Sequence, residues 1–289
     1  MSCLQSVQPK HLFVACDGPG SGDPELMEAC LQARSVIEQA ITWPCQVTRL
    51  YRDQHLGCRH GVAEAISWFF SQVEEGIILE DDVLPDPSFF VYCAELLERY
   101  RDDHRVGMVS GCTIRNLPPR DGSSYRFSRF FHVWGWASWR RAWMHYDSEM
   151  SSWPILRQQN WLSDLGGKRF ARYWRREFDR VWTGDCDTWD YIWMLSCWAQ
   201  GQVCILPAVN LVDNHGFEDP RATHTTLDRS PLPKSGCIQH PLRHPTHRFV
   251  DHAVDAIDLA RYYAPRLPQR MFRRVQKEVR RLRHAVLCT

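Results

Sequence analysis

The stretch Gly76-Ile77-Ile78-Leu79-Glu80-Asp81-Asp82-Val83-Leu84-Pro85 decides how this chain reads. Ile77 to Leu79 is apolar throughout, as expected of a strand buried on both faces of a parallel sheet, and three carboxylates follow at once. In an open α/β sheet, ligands bind beyond the carboxyl ends of the strands. Three adjacent negative charges repel one another, and near a dry strand end they require a cation. A hard divalent ion, Mg²⁺ or Mn²⁺, suits them, because such ions take one or two carboxylates and fill the remaining positions with phosphate oxygens. An acidic run at a solvated turn would need no ion; the apolar strand in front of it favours the metal.

Working outward, strand and helix signals alternate on both sides. His11 to Cys16 is a short apolar run that ends at Asp17-Gly18-Pro19-Gly20, a sequence that neither a helix nor a central strand tolerates. Asp23-Pro24 supplies a cap and a first-turn proline, and Leu26, Ala29, Cys30, Ala33, Val36, Ile37 and Ala40 keep helical spacing. Gln46 to Tyr51 reads as a strand, Val62 to Val73 as a helix, Asp86-Pro87 as the cap of a helix running to Tyr100, and Val106 to Ser110 as a further strand. Strands separated by helices of this length predict βαβ units and a mostly parallel sheet flanked by helices, an α/β fold in a single large domain. Segments 155–182 and 188–200 read as helices, Val203 to Leu206 as a strand, and 217–250 as a loop rich in Pro and His, poised as a lid. The expected organisation is a catalytic domain over 1–216, the loop over 217–250 and a basic helical tail over 251–289.

Composition narrows the function. The 289 residues include 35 Lys and Arg against 34 Asp and Glu, a formal balance of +1 that argues against a nucleic-acid-binding surface. No apolar run reaches the roughly 18 residues of a spanning helix. The first ten residues lack the apolar core of an export signal, so a cytoplasmic location is expected, with the 12 cysteines reduced and mostly buried. No C-x-x-C pair marks a zinc or redox site.

The tail differs in kind. From Arg261 to Thr289 there are nine Lys or Arg against one Glu, a local balance of about +8 that leaves about −7 on the preceding 260 residues. Met271, Phe272, Val275, Val279, Leu282 and Val286 share one helical face with basic residues around the rest. A helix docked on the domain and a basic helix, residues 266–289, lying on an anionic membrane surface are both compatible with that pattern. The second would place the protein at the inner face of a membrane.

Two further segments bear chemistry. Trp134-Gly135-Trp136, among 13 tryptophans, sets two flat rings beside backbone space, a shape suited to a sugar's apolar face; core packing explains it nearly as well. Asp185-Cys-Asp187-Thr188-Trp189-Asp190 falls at the start of a helix, where Asp187 reads as a cap and Asp190 as a carboxylate kept charged by the helix N-terminus, available as a base.

Taken in order, these pieces resemble the GT-A nucleotide-diphospho-sugar glycosyltransferases, especially the N-acetylglucosaminyltransferase I type and its bacterial relatives. The likeness rests on Val14-Ala-Cys-Asp17, Leu56-Gly-Cys58, Leu79-Glu-Asp-Asp82 followed by Pro87-x-Phe89-Phe90, Trp134-Gly-Trp136, Trp189-Asp190, and Asn214-x-Gly216 through Ala222-Thr-His-Thr225. It covers about three quarters of the chain and departs at Gly18, where the eukaryotic enzyme carries an arginine. The resemblance implies an inverting, metal-dependent hexosyl- or N-acetylhexosaminyltransferase. Such an enzyme moves sugar from a nucleoside-diphosphate donor, a UDP-sugar first, to a glycan or lipid-linked acceptor in surface polysaccharide assembly. It implies that Asp82 contacts the Mn²⁺ or Mg²⁺ bridging the donor phosphates, with His224 as a further ligand. Asp17 would lie near the nucleoside, Glu80 and Asp81 would face donor sugar and ribose, Trp136 and Trp189 would shape the sugar pocket, and Asp190 would be the general base.

Two alternatives stay open on the residues. A sugar-nucleotide nucleotidyltransferase also uses strand-end carboxylates and Mg²⁺, but its phosphate loop after the first strand should be basic, and here no basic residue follows Asp17 before Arg34. A carbohydrate- or membrane-surface-binding protein would use the tryptophans and the tail without catalysis.

Overall fold

The computed structural model describes residues 2–20, 24–217 and 232–264, and its amino-terminal third places strands and a helix where the periodicity predicts, after an unforeseen short helix Ser2–Val7. The apolar face read for the helix Pro24–Ala40 is not buried, Leu26 and Val36 being exposed. β1 (His11–Cys16) and β2 (Gln46–Tyr51) pair in parallel, His11 opposite Gln46 and Cys16 opposite Tyr51, with the helix Pro24–Ala40 as the crossover. The predicted cap at Asp23 lies outside the described residues. After the helix Ala63–Gln72 comes β3 (Glu75–Ile78), and the turn through Glu80–Asp82 leads into β4 (Val83–Pro85). Asp86 then caps the helix Pro87–Tyr100, its carboxylate accepting from the Ser88 amide at 2.9 Å.

The remaining strands are β5 (Val106–Ser110), β6 (Tyr125–Ser128), β7 (Trp136–Trp139), β8 (Val203–Pro207) and β9 (Val212–Asn214). Five of these strands form one sheet in the order β3-β7-β5-β8-β6. The fold is therefore mixed α/β, and the mostly parallel sheet expected from the sequence is corrected. Only β5 and β8 run parallel in this sheet; the pairings of β3 with β7, β7 with β5, and β8 with β6 are antiparallel. The physical reason lies in the connections. Residues 111–124 and 129–135 contain no helix, and without a crossover helix the premise of the parallel rule is missing. Because β7 inserts between β3 and β5, β3 ends the five-stranded sheet and is half-buried along its whole length, not enclosed on both faces as Ile77 to Leu79 suggested.

Alternation along the strands divides the interior in two. Cys204 and Leu206 face one cluster and Ile205 the other; Trp136 and Ala137 separate in the same way. The helix Pro87–Tyr100 covers one face through Phe89, Tyr92, Leu96 and Leu97. The helices Trp161–Trp182 and Asp190–Ala199 cover the other with Trp174, Phe178 and Trp193. Sequence periodicity predicted one helix over 155–182; a short helix, Trp153–Leu156, is separate from Trp161–Trp182, which is itself broken at Gly167, whose φ of +80° is left-handed.

Part of the expected lid is fixed. Ser235 bonds Asp213 (2.6 Å), Gly236 N donates to Asn210 O (2.8 Å), Ile238 N to Ser88 Oγ (3.0 Å) and Arg243 N to Ser124 Oγ (2.9 Å). Residues 232–250 are thus tied to the body, while 218–231, including His224, lie outside the described residues. The helix His252–Asp258 buries Asp255 and Asp258 against Arg129 (2.9 Å) and Arg115 (3.1 Å). The basic tail 266–289 also lies outside the described residues. Among the described residues no helix is long and apolar enough to cross a membrane. Eleven described cysteines are free thiols, but only Cys93, Cys112, Cys197 and Cys204 are buried, fewer than expected.

Candidate functional site

Acidic residues from three distant parts of the chain are drawn together at the ends of β1 and β3. Asp17 follows β1 directly, and its carboxylate accepts from the amides of Gly18 (3.0 Å), Leu56 (3.0 Å) and Gly57 (3.0 Å) and pairs with His55 Nδ1 at 3.0 Å. Gly18 is glycine for a steric reason: a Cβ there would sit 2.5 Å from the backbone of Gln54. The loop that Asp17 holds continues into Cys58, whose amide donates to Asp187 Oδ2 at 3.2 Å. Asp187 is therefore a tie across the chain. It is not the predicted helix cap; the capping position of Asp190–Ala199 is Trp189, with no side-chain bond.

Cys58 brings the third and fourth groups. Burial pushes its thiol up to about 12, with Asp190, Glu80 and Asp187 adding to the shift. Glu80, at the turn after β3, is pushed up to about 8 by burial first and then by the charges of Asp82, Asp190 and Asp81. Part of its side chain reaches solvent, yet the carboxyl is enclosed, and the Trp189 side chain hydrogen-bonds to it. Asp82 is likewise held above the usual carboxylate range by burial and by Asp81, while His215 opposes the shift. Its Oδ1 is buried without a hydrogen-bond partner. Asp81 is exposed and does not share this enclosure. Asp190 opens its helix with Oδ1 accepting from Thr188 Oγ1 and from the Tyr191 amide at 2.9 Å.

Glu80, Asp82, Asp187 and Asp190 thus converge, joined to Asp17 through the loop 54–58, and Asp81 lies at their rim. Among the described residues no three His, Cys, Asp or Glu side chains form a ready-made metal cage. A site for Mg²⁺ or Mn²⁺ completed by a diphosphate needs none, and an enclosed carboxylate oxygen with nothing to bind, Asp82 Oδ1, fits such an ion. A groove of about 420 Å³ lies elsewhere, along the helix Trp161–Trp182.

The two tryptophans expected to shape a sugar pocket are enclosed. Trp136 is 0% exposed and Trp189 2%, so neither ring is open to stack on a ligand. They stack on each other at 5.8 Å within a cluster that includes Trp143 and Trp193. Trp189 reaches the site through its side-chain bond to Glu80 and a backbone bond to Cys58. Gly135 is explained by backbone, not by ligand space: its φ of +65° is left-handed, and a Cβ would lie 2.9 Å from Val212 Cγ1. Of the two rings in the Trp134-Gly135-Trp136 motif, Trp134 is the more open: it is half-buried and packs edge-on against Phe217 at 5.5 Å. Sequence reading missed His215 as a neighbour of Asp82, whose carbonyl accepts from the His215 amide at 2.8 Å. The pairing of β4 with β9, Val83 opposite Asn214, brings His215 there. Two three-residue strands leave too short a pattern for that pairing to be foreseen.

The raised Glu80 gives a stability signature. Its folded-state value of about 8 lies above the ordinary 4.5, so between those limits the folded chain binds a proton that the unfolded chain has lost. Stability then falls as pH rises through this window, by at most about 1.4 kcal/mol per pH unit from this group. Urea unfolding between pH 5 and 8 without divalent ions should show the fall, and Glu80→Gln should flatten it.

Compared with known proteins, the chain matches no protein-family model and no curated protein.

Proposed function

We propose that this chain is an inverting, divalent-cation-dependent glycosyltransferase with a GT-A-like site, transferring sugar from a nucleoside diphosphate, UDP in the first instance, to a hydroxyl of a glycan or lipid-linked acceptor. The observation that carries the reading is the convergence of Asp82, with an enclosed unpartnered oxygen, on Glu80 and Asp190 where β3 ends. Such a cluster is poorly suited to stability, because like charges in a partly dry site repel. It is well suited to gripping a cation and, beside it, removing a proton.

Asp82 would hold the ion, with the donor diphosphate completing its shell. A bound divalent ion supplies charge neutralisation to the departing diphosphate without proton exchange. Asp17, already braced by three amides, lies on the β1 side, where the nucleoside is expected. Asp190 would take the proton of the acceptor hydroxyl; a base opposite the leaving group gives direct displacement and inversion. Glu80, bonded by Trp189 and near the charges of Asp82 and Asp190, would face the donor sugar.

A panel of sugar nucleotides, assayed for transfer or slow hydrolysis with Mn²⁺, tests the reading. Turnover of at least one donor should vanish in EDTA, return with Mn²⁺, and be absent from Asp82→Ala although that variant stays folded. Equal turnover with and without chelator would overturn it.

A further inference from the structure

Away from these carboxylates, the helix Trp161–Trp182 carries the groove of about 420 Å³, lined by Ser163, Lys168, Arg172, Arg175, Arg176 and Asp179. Lys168, Arg172 and Arg175 are spaced by four and then three residues, which sets them on one helical face over about 10 Å of axis. The other charges lining the groove are already engaged. Asp179 is gripped by Arg157 at 2.6 and 3.1 Å and by the Trp153 indole at 3.1 Å, and Arg176 pairs with Glu177. Among the described residues, Lys168, Arg172 and Arg175 have no such acidic partner. Arg175 is half-buried, its Nε enclosed without a hydrogen-bond partner, while Lys168 and Arg172 are exposed.

We propose that this groove is a binding site for a phosphate-class anion bearing more than one negative charge, with Arg172 and Arg175 as its forked ligands and Lys168 as a point charge. The chemistry follows from the donor set. Guanidinium forks match phosphate oxygens two at a time, and three uncompensated cations on one face outnumber what a single carboxylate would neutralise. The attraction is local, since the first 260 residues together carry about −7 and would repel an anion overall. The site does not depend on the glycosyltransferase reading, and it is tested without metal or nucleotide.

The measurement is calorimetric titration of the full chain with inorganic pyrophosphate in EDTA, beside co-sedimentation with phosphatidylglycerol vesicles. Arg172→Gln/Arg175→Gln should weaken pyrophosphate binding about tenfold or more, as loss of charge-assisted bonds predicts. Asp82→Ala should leave it unchanged. A loss confined to vesicle binding would assign the phosphate to a lipid headgroup; a loss of pyrophosphate binding would assign it to a soluble ligand, and either supports the site. Lys168→Gln, a fully surface change, gives the same readout should the double variant fail to fold. Pyrophosphate and vesicle binding that are equal in wild type and both basic-residue variants would overturn the proposal.

Discussion

Asp190→Asn should lower sugar transfer by about 10²–10⁴-fold, the usual contribution of a positioned general base, while leaving the melting temperature near that of the wild type. The reasoning rests on how the carboxylate is held. Its Oδ1 accepts from Thr188 Oγ1 and from the Tyr191 amide at 2.9 Å, and the amide oxygen of asparagine can accept both bonds. The substitution therefore removes the ability to take a proton and little else. Steady-state kinetics with the active donor and an excess of acceptor would show the loss in kcat. A variant that keeps wild-type kcat would remove Asp190 from the base role.

Trp136→Ala is expected to have the other large effect, and on stability. Trp136 is fully buried, with Trp189 5.8 Å, Trp193 6.1 Å and Trp143 6.2 Å from its ring. Truncating an aromatic side chain in such a place costs about 3–5 kcal/mol, a large part of the roughly 5–15 kcal/mol that holds a domain together. Thermal unfolding should show a steep drop in melting temperature or no folded protein at all. A ring that served a sugar would instead raise KM and leave the fold intact. Trp134→Ala should behave in that second way, because Trp134 is half-buried and sits against Phe217, two residues from His215, whose amide is bonded to Asp82. Similar stability losses for Trp134→Ala and Trp136→Ala would contradict the division between them.

The contrast between these two tryptophans also shows where a sequence is legible. Periodicity located β1, β2, β5 and the helix Pro87–Tyr100 with its Asp86 cap, because each is long enough to display its own repeat. The strand-end acids Glu80 and Asp82 were legible for the same reason: an apolar run followed by charges is a local signal. Strand β7 was not, because Trp136-Ala-Ser-Trp139 reads as an aromatic motif and nothing local says that it inserts between β3 and β5. With that insertion went the direction of the sheet, the burial of Trp136 and the half-burial of β3. Asp187 shows a similar limit. Its position before a helix is what a cap would have, and only the approach of Cys58, 129 residues earlier, turns it into a tie between segments.

The same approach explains why the site needs the fold. Asp17, Glu80, Asp82 and Asp190 would be ordinary surface acids in an unfolded chain. The bonds from Asp17 to Leu56 and Gly57, and from Cys58 to Asp187, stitch the loop 54–58 between the ends of β1 and the helix Asp190–Ala199. Enclosure then lifts Glu80 to about 8 and leaves Asp82 Oδ1 without a partner. Under the proposed reading, the charges that destabilise one another in the folded chain would supply the affinity for a cation.

The most direct check is the position of manganese. Crystals of the full chain soaked with MnCl₂ and UDP, measured at the manganese absorption edge, should give an anomalous peak within about 2.0–2.6 Å of an Asp82 carboxylate oxygen, and that peak should be missing from Asp82→Ala. Wild-type crystals with ordered UDP but no manganese at Asp82, or with Asp82 paired to a protein cation instead, would contradict the assignment.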